Sequence, residues 1–156
     1  MADQGQKYKI IEKLDSGGMA EIYRGEAETI QGFKKQVAIK RILPHLTKNK
    51  RFVAMFLDEA RLCLFLDHAN IVHVFDIGYS GNTFFIVMEY VDGLNLRALS
   101  ESLKRQNKRL ELHHSLFTMM EVTKGLAYAH EKVDIDTGKP LGIVHRDISP
   151  PNILIS

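Results

Sequence analysis

A segment near the end of the chain, residues 143–155, constrains the fold most. Two apolar runs flank a polar stretch that contains the adjacent prolines Pro150 and Pro151. Each proline lacks an amide donor, and the second disfavours helical backbone at the first, so no helix is expected to run through the segment. We therefore predict a rigid loop between two buried, strand-like pieces. This loop carries Asp147 and Asn152.

The two polar side chains of this loop suit one kind of chemistry. A carboxylate such as that of Asp147 can orient or deprotonate a hydroxyl group. The amide oxygen of Asn152 can bind a hard cation. A carboxylate and an amide on one rigid loop therefore suggest a reaction of a hydroxyl group beside a metal ion.

Composition excludes several classes of protein. The 156 residues are 45% hydrophobic and 26% charged, which is ordinary for a globular chain. The formal net charge of +2 gives no electrostatic case for nucleic-acid binding. The single cysteine, Cys63, excludes an internal disulfide. Because no apolar run approaches the ~20 residues of a membrane span and the first residues are polar, we expect a soluble, cytoplasmic chain without a membrane segment.

The first part of the chain predicts strands and one helix. Alternating or β-branched residues indicate the strands, and apolar residues at helical spacing indicate the helix. The predicted strands span residues 8–14, 21–27, 36–43, 71–79 and 83–90, the helix spans 49–67, residues 1–7 form a polar tail, and turns lie at Gly17–Gly18, 29–35 and 80–82.

The second part predicts mainly helices. They span residues 94–105 and 112–132, and a polar excursion follows at 133–141. This order indicates an α+β fold, with a small β-rich lobe over residues 8–90, a link at 91–93 and a helical piece over 94–156.

Taken one at a time, the candidate residues leave alternatives open. Gly17 and Gly18 suit a backbone that folds over phosphates, or an ordinary hairpin turn. Lys40, inside a β-branched strand, either extends to solvent from a sheet edge or pairs with a phosphate and a carboxylate. Glu59 either supplies that carboxylate or is a solvated helix residue.

The remaining candidates favour structural roles. A histidine such as His145, between Val144 and Arg146, is more often packed and hydrogen-bonded to backbone than a ligand, and the same holds for His68 and His130. Cys63 is expected to be a small helix residue and not a nucleophile.

In combination, these motifs resemble the eukaryotic-like (Hanks-type) protein kinase family, and most closely its bacterial serine/threonine members. The resemblance runs from about Tyr8 to Ser156, from the glycine turn to a His-Arg-Asp-x-x-x-x-Asn loop. The matching residues are Val37–Lys40, Glu59, Val87–Tyr90 and His145–Asn152.

The resemblance implies a fold and a set of roles. The fold is a kinase-like lobe with a five-stranded antiparallel sheet and one long helix, followed by a partial helical lobe. The cofactors are ATP and Mg²⁺, and the partner is a protein substrate. Lys40 would hold the α- and β-phosphates and pair with Glu59, Asp147 would orient the substrate hydroxyl, and Asn152 would bind Mg²⁺. The implied nucleotide-binding residues are Leu14, Gly17, Gly18, Ile22, Ala38, Lys40, Met88, Glu89, Val91 and Leu154.

The sequence departs from the family pattern in three places. The glycine pattern G-x-G-x-x-G falls on Asp15, Gly17 and Ala20, which places a carboxylate near the phosphates. Ser149 stands where serine/threonine kinases usually have a lysine that contacts the transferred phosphate. The Asp-Phe-Gly motif that binds Mg²⁺ in the family would follow Ser156, so residues 1–156 by themselves are expected to be inactive.

Two further expectations concern association. Exposed apolar residues of the helix predicted at 112–132 are expected to make the isolated chain self-associate. The alternative to an enzyme is a non-catalytic half-kinase module that binds a nucleotide or a partner. The exposed apolar residues that are expected to cause self-association are Leu116, Met119, Met120 and Leu126.

Overall fold

The computed structural model describes residues 8–28 and 32–156. The chain divides into two compact units. The first comprises the described part of Met1–Phe65 together with His73–Tyr90, and the second comprises Leu66–Val72 and Val91–Ser156. The predicted tail at 1–7 and residues 29–31 of the predicted second turn lie outside the described residues. The last two residues of that turn, Lys34 and Lys35, belong to a strand instead.

The first unit is built on a five-stranded antiparallel sheet, as predicted. The strands lie in the order β1-β2-β3-β5-β4, and every neighbouring pair is antiparallel. The strand predicted at 71–79 begins later, at Val74. Ile71 lies in a turn instead, since its amide donates to the carbonyl of His68 at 2.9 Å. The strands are β1 (Tyr8–Ser16), β2 (Ala20–Glu28), β3 (Lys34–Ile42), β4 (Val74–Ser80) and β5 (Thr83–Glu89).

Helix α1 (Lys50–Leu64) packs against the sheet and contributes buried residues to the core of this unit. Its first free amides are capped by Asn49, whose Oδ1 accepts from Arg51 N at 3.1 Å and Phe52 N at 3.4 Å. The helix ends before the predicted residue 67 because Phe65 N donates to the carbonyl of Leu62, three residues back, which tightens the last turn. One buried cluster consists of Ala20, Ile42, Phe56, Ala60, Val74 and Ile86, and a second consists of Val37, Ile39 and Val87.

The second unit contains two helices and a short ladder. Helix α2 (Leu96–Arg105) begins two residues later than predicted, because Leu94–Asn95 forms a strand, β6, that pairs with β7 (Leu154–Ile155). An added Cβ at Gly93 would overlap the carbonyl oxygen of Ile155, so the ladder needs a glycine beside it. Helix α3 (Leu112–Glu131) ends one residue before its predicted limit.

Residues 66–72 are anchored on α3 by polar contacts. Asp67 N donates to the hydroxyl of Tyr128 at 3.2 Å, and Asn70 Nδ2 donates to Glu121 Oε2 at 2.8 Å. Hydrogen bonds from Lys124 and Asn70 hold the pKa of Glu121 below its usual value. The ring of His68 lies 5.1 Å from that of Tyr128. His68 is therefore half-buried and hydrogen-bonded, as its predicted structural role requires.

Within the described residues, none of the helices is both long and apolar enough to cross a membrane.

Candidate active site

The strand lysine and the helix glutamate form an ion pair in the first unit. Lys40 lies on β3, opposite Ile22 of β2 and Ile86 of β5. Its Nζ donates to Glu59 Oε1 at 2.7 Å, and the two side chains are 27% and 54% exposed. The predicted contact between Lys40 and Glu59 is confirmed, and its role with a nucleotide stays a prediction. The ammonium group is thus partly covered, paired and still accessible.

Helix α1 holds Glu59 through its own packing. Phe56 and Ala60, on either side of Glu59 in the sequence, are among the buried residues of the core. One turn further on, burial is the main cause that raises the pKa of the Cys63 thiol, and the nearby Glu59 carboxylate adds to it. A raised pKa leaves less thiolate, which agrees with the prediction that Cys63 is not a nucleophile.

The glycine turn lies between β1 and β2. Gly17 N donates to the carbonyl of Ala20 at 2.9 Å, and both Gly17 and Gly18 are exposed. The carboxylate of Asp15, which replaces the first glycine of the family pattern, accepts a hydrogen bond from Ser16 N at 2.7 Å. That carboxylate is therefore held beside the backbone of the turn, where it adds negative charge.

Other predicted nucleotide-binding residues of the first unit lie on its strands. Leu14 is on β1, Ile22 on β2, and Ala38 on β3 pairs with Met88 on β5. Ala38 is buried, Ile22 and Met88 are half-buried, and Leu14 is exposed.

Glu89 is the last residue of β5, and its backbone is partly used by the fold. Its amide donates to the carbonyl of His73 at 2.8 Å, so this amide is not available to a nucleotide. Val91 and Leu154 belong to the second unit, where Val91 is half-buried and Leu154 is exposed.

The loop with Asp147 and Asn152 is held together by short-range hydrogen bonds in the second unit. Asn152 Nδ2 donates to Asp147 Oδ2 at 2.9 Å and to the Asp147 carbonyl at 3.0 Å. It also lies 3.3 Å from Ser149 Oγ, and that hydroxyl donates to Asp147 Oδ1 at 3.3 Å. Both oxygens of the Asp147 carboxylate are thus contacted from within the loop, where Asp147 and Asn152 are exposed and Ser149 is half-buried.

The same contacts decide which atom of Asn152 is available to a cation. Its amide nitrogen is engaged with Asp147 and Ser149, and in the described part of the chain no donor contacts its Oδ1. An amide oxygen is a ligand that Mg²⁺ accepts. The loop therefore fits a magnesium ion at Asn152 Oδ1.

Three expectations about the flanks of this loop are wrong, two of them only in part. The residues before Asp147 form no strand, and Val144 is 60% exposed. The Nδ1 of His145 accepts from the backbone at Asp147 N at 3.3 Å, as predicted, but His145 is exposed and not packed, and His130 of α3 is exposed as well. After the loop a strand follows as predicted, but β7 has only two residues, and Leu154 is 45% exposed and not buried.

The adjacent prolines exclude an α-helix but not a helical turn. A 3₁₀ turn spans Pro150–Asn152, and Asn152 N donates to the carbonyl of Ser149 at 2.9 Å. The two prolines occupy its first positions, where an amide has no helical partner in any case. The turn brings Asn152 back towards Asp147, which an extended loop would not do.

Arg146 has a backbone that few side chains adopt. Its φ is 65°, in the left-handed region. For a residue other than glycine this conformation costs about 1–2 kcal/mol. The strain lies immediately before Asp147, so it sets the direction in which the loop leaves His145.

The sequence pointed to Ser149 only as a replacement for a lysine. The structure adds that its hydroxyl contacts both Asp147 and Asn152. The signal that was available is the spacing: a serine lies two residues after the aspartate and three before the asparagine, on a loop tightened by prolines.

Comparison with known proteins identifies the family. The family model for protein tyrosine and serine/threonine kinases matches residues 8–156, so the chain belongs to the protein kinase family. It is 40% identical to the tyrosine-protein kinase MasK of Myxococcus xanthus over 149 residues, which is 96% of this chain and 23% of MasK. It is 34% identical to the serine/threonine-protein kinase PrkC of Bacillus subtilis over 149 residues, which is 96% of this chain and 20% of PrkC.

Solved structures agree with this assignment. The kinase domain of PknI from Mycobacterium tuberculosis superposes with a TM-score of 0.73 at 26% identity. The alignment covers 95% of this chain and 54% of the PknI chain. The predicted kinase fold is therefore confirmed. The chain spans about a fifth of the length of the curated relatives MasK and PrkC, and about half of the PknI structure.

Proposed function

We propose that this chain carries substrate-hydroxyl and nucleotide-binding residues of an ATP-dependent serine/threonine protein kinase, which transfers a phosphoryl group from Mg-ATP to a protein hydroxyl. The observation that carries the proposal is the loop in which Asn152 Nδ2 donates to Asp147 Oδ2 at 2.9 Å. This contact fixes a carboxylate next to an amide whose oxygen can bind a cation.

Each polar residue has a proposed task. Asp147 accepts a hydrogen bond from the substrate hydroxyl and orients it for attack. Asn152 holds Mg²⁺ through Oδ1; the ion, when bound, neutralises charge on the phosphates. Lys40 donates to the α- and β-phosphates, and Glu59 keeps its Nζ in place through their 2.7 Å contact. We propose that the nucleotide is contacted by Leu14, Gly17, Gly18, Ile22, Ala38, Met88, Glu89, Val91 and Leu154.

Nucleotide binding by residues 1–156 tests the role of Lys40. Titration calorimetry with Mg-ATP should show that Lys40→Ala weakens binding about 10- to 100-fold, the usual range for a hydrogen bond to a charged group. The matched control is Lys35→Ala, on the same strand, whose ammonium group lies 3.9 Å from the Phe75 ring centre. Equal affinities for the wild type and Lys40→Ala would contradict the role of this lysine.

Phosphoryl transfer tests the role of Asp147. It should be measured with radiolabelled ATP on the natural polypeptide that contains this chain. Asp147→Asn is expected to reduce the rate by about 10²- to 10⁴-fold, the range for a positioned acid or base. The control is Asp136→Asn, at an exposed position in the polar excursion. A rate unchanged by Asp147→Asn would reject the proposal.

The choice of hydroxyl needs its own measurement. The family includes both specificities by name: MasK is a tyrosine kinase and PrkC a serine/threonine kinase. We propose serine and threonine of a protein substrate as the acceptors, and the cytoplasm, where ATP is available, as the location of this chain. Phosphoamino-acid analysis of matched peptides decides this, and phosphotyrosine as the main product would reject the assignment.

A second candidate function rests on the exposed apolar surface of α3. Leu116, Phe117, Met119 and Met120 are 56%, 63%, 47% and 58% exposed. Exposed apolar patches of this kind mark binding surfaces. We propose, as the alternative, that residues 1–156 by themselves bind nucleotide without transferring phosphate and associate with a second copy through this surface.

Sedimentation velocity tests the association. The wild-type chain should sediment as a dimer or larger species at micromolar concentration, and the combined Leu116→Ser and Met120→Ser variant should shift towards the monomer. A monomer at all concentrations would contradict the association, and transfer of phosphate by residues 1–156 would contradict the non-catalytic alternative.

A further inference from the structure

The hydroxyl of Ser149 lies between the two residues of the loop that have proposed roles. It donates to Asp147 Oδ1 and lies within hydrogen-bond distance of Asn152 Nδ2, each at 3.3 Å. Together with the 2.9 Å bond from Asn152 to Asp147 Oδ2, these contacts close a ring of three side chains. Each member of the ring restrains the other two.

No cation takes part in this ring. Among the ion pairs of the described residues, none includes Asp147. The carboxylate is therefore oriented by neutral donors alone. The Oδ1 atom has one side-chain donor, Ser149, whereas the Oδ2 atom has Asn152.

We propose that Ser149 is a positioning residue for the substrate hydroxyl, which acts by fixing the carboxylate of Asp147 and the side-chain amide of Asn152. This inference rests on the proposed kinase function. The Ser149 hydroxyl does not touch the reacting atoms; it restricts rotation of the two groups that do.

The geometry predicts a moderate effect. Asn152 has two amide hydrogens for three acceptors, and its contacts with Asp147 are shorter than its contact with Ser149. Removal of the Ser149 hydroxyl leaves Asp147 Oδ2 held, but frees Oδ1, and the terminal torsion of a carboxylate is broad. We expect a kcat reduced about 10-fold, less than the loss on removing Asp147 itself, because small misplacements of a catalytic group already slow a reaction.

The first experiment compares hydroxyl-bearing and hydroxyl-free variants in the natural polypeptide. Ser149→Ala should lower kcat about 10-fold with the KM for ATP changed less than about twofold, and Ser149→Thr should restore kcat. Threonine fits because Ser149 has extended backbone, with φ −147° and ψ 156°. The control is Ser100→Ala, since the Ser100 hydroxyl donates to the Leu96 carbonyl within α2, away from the loop. Full activity of Ser149→Ala, or no recovery in Ser149→Thr, would reject the proposal.

The second experiment is a double-mutant cycle with Asp147→Asn, measured in single turnovers. If Ser149 acts largely through Asp147, Ser149→Ala lowers the rate clearly less in the Asp147→Asn background than in the wild type, and the remaining effect is the part that acts through Asn152. A merely structural role predicts the same 10-fold loss in both backgrounds, and that result would overturn the inference.

A third measurement separates this inference from the proposed function. In residues 1–156, the side-chain amide protons of Asn152 should shift in nitrogen-correlated NMR spectra of Ser149→Ala and stay near their wild-type positions in Ser149→Thr. If the natural polypeptide transfers no phosphate, the proposed function fails, and these spectra still decide whether Ser149 holds Asn152. Identical spectra for the wild type and Ser149→Ala would show that the ring does not form.

Discussion

The two polar sites of this chain are assembled in opposite ways. Lys40 and Glu59 are 19 residues apart, and a sheet and a helix must pack together before their side chains meet at 2.7 Å. Asp147 and Asn152 are five residues apart, and one tightened loop brings them within 2.9 Å. The first site therefore depends on the core of its unit, whereas the second depends on a few hydrogen bonds and one strained backbone. Changes to packing should damage the first, and changes to single polar groups should damage the second.

Phe56→Ala should have the largest effect on stability, and it tests the dependence of the first site on packing. Phe56 is 8% exposed and belongs to the core cluster beside Glu59. We expect a loss of about 3–5 kcal/mol in the free energy of unfolding, measured by urea titration with circular dichroism. Affinity for Mg-ATP should fall with it, because α1 no longer holds Glu59.

The control for this prediction is Met55→Ala, the preceding residue of α1, which is 52% exposed. It should change stability by less than about 0.5 kcal/mol. In Phe56→Ala the Asn152 side-chain amide signals should stay in place. If they move as far as in Ser149→Ala, the loop is not independent of the first unit, and the contrast between the two sites fails.

Gly93→Ala is expected to have the next largest effect, and it challenges the local character of the loop. The added methyl group would overlap the Ile155 carbonyl and push β7 away from β6. We expect about 1–3 kcal/mol of destabilisation, the usual cost of forced overpacking. Thermal unfolding measures it, and Gly18→Ala is the control, since an added Cβ there meets nothing within 4 Å.

The measurement that decides the question in Gly93→Ala is the NMR spectrum of the Asn152 side-chain amide in the loop. If its hydrogen bonds are sufficient, the Asn152 amide signals remain although β7 has moved. Their loss would mean that the two-residue ladder, and not the ring of side chains, holds Asn152 in place.

Glu59→Gln should affect stability less and nucleotide binding more. The Lys40–Glu59 pair is partly exposed, so its net contribution to folding is expected to be below about 1 kcal/mol. Affinity for Mg-ATP should nevertheless fall, because Lys40 loses its anchor. Asp58→Asn, which removes an exposed charge next to it in α1, is the control. A large loss of stability in Glu59→Gln would show that the ion pair maintains the fold and is not simply held by it.

The smallest and most local effects are expected in the pKa values of two carboxyl groups. Hydrogen bonds from Lys13 and Tyr23 lower the pKa of Glu21 in the first unit, and hydrogen bonds from Thr137 lower the pKa of Asp134 in the second. A lowered pKa in the folded state adds stability above the ordinary pKa, and this stability is lost as the pH falls through the lowered value.

In Phe56→Ala, NMR titration should find that the pKa values of Glu21 and Asp134 both stay low, because their hydrogen-bond partners lie at most eight residues away in the sequence. A return of either pKa to its ordinary value would contradict the local character of these contacts.

Much of the fold follows from local patterns in the sequence. The five strands and α1 were predicted because β-branched alternation and helical spacing are properties of neighbouring residues, as in β3 and around Phe56. The pairing of Lys40 with Glu59 came from the family resemblance, because spacing alone left open whether Glu59 supplies the carboxylate or is a solvated helix residue. The roles of both residues stay predictions.

The predictions from sequence were wrong where the structure depends on backbone pairing between distant residues or on the conformation of a proline. Leu94 and Asn95 pair with Leu154 and Ile155, some 60 residues away, and no local signal indicates this pairing. Residues before Asp147 were predicted as a buried, strand-like piece from their apolar character, but they pair with no strand among residues 8–28 and 32–156. Pro151 was taken to disfavour helical backbone at Pro150, although proline is well suited to the first position of a turn.

The left-handed backbone at Arg146 has a consequence for anyone who engineers this chain. Optimisation for thermal resistance would favour glycine there, since glycine adopts a φ of 65° without strain. Such a change is expected to raise the melting temperature while it removes the only guanidinium group next to Asp147 in the sequence. A screen that selects for heat resistance alone would therefore accept a variant whose loop has lost the positive charge of Arg146. A screen at this position has to measure phosphoryl transfer together with stability.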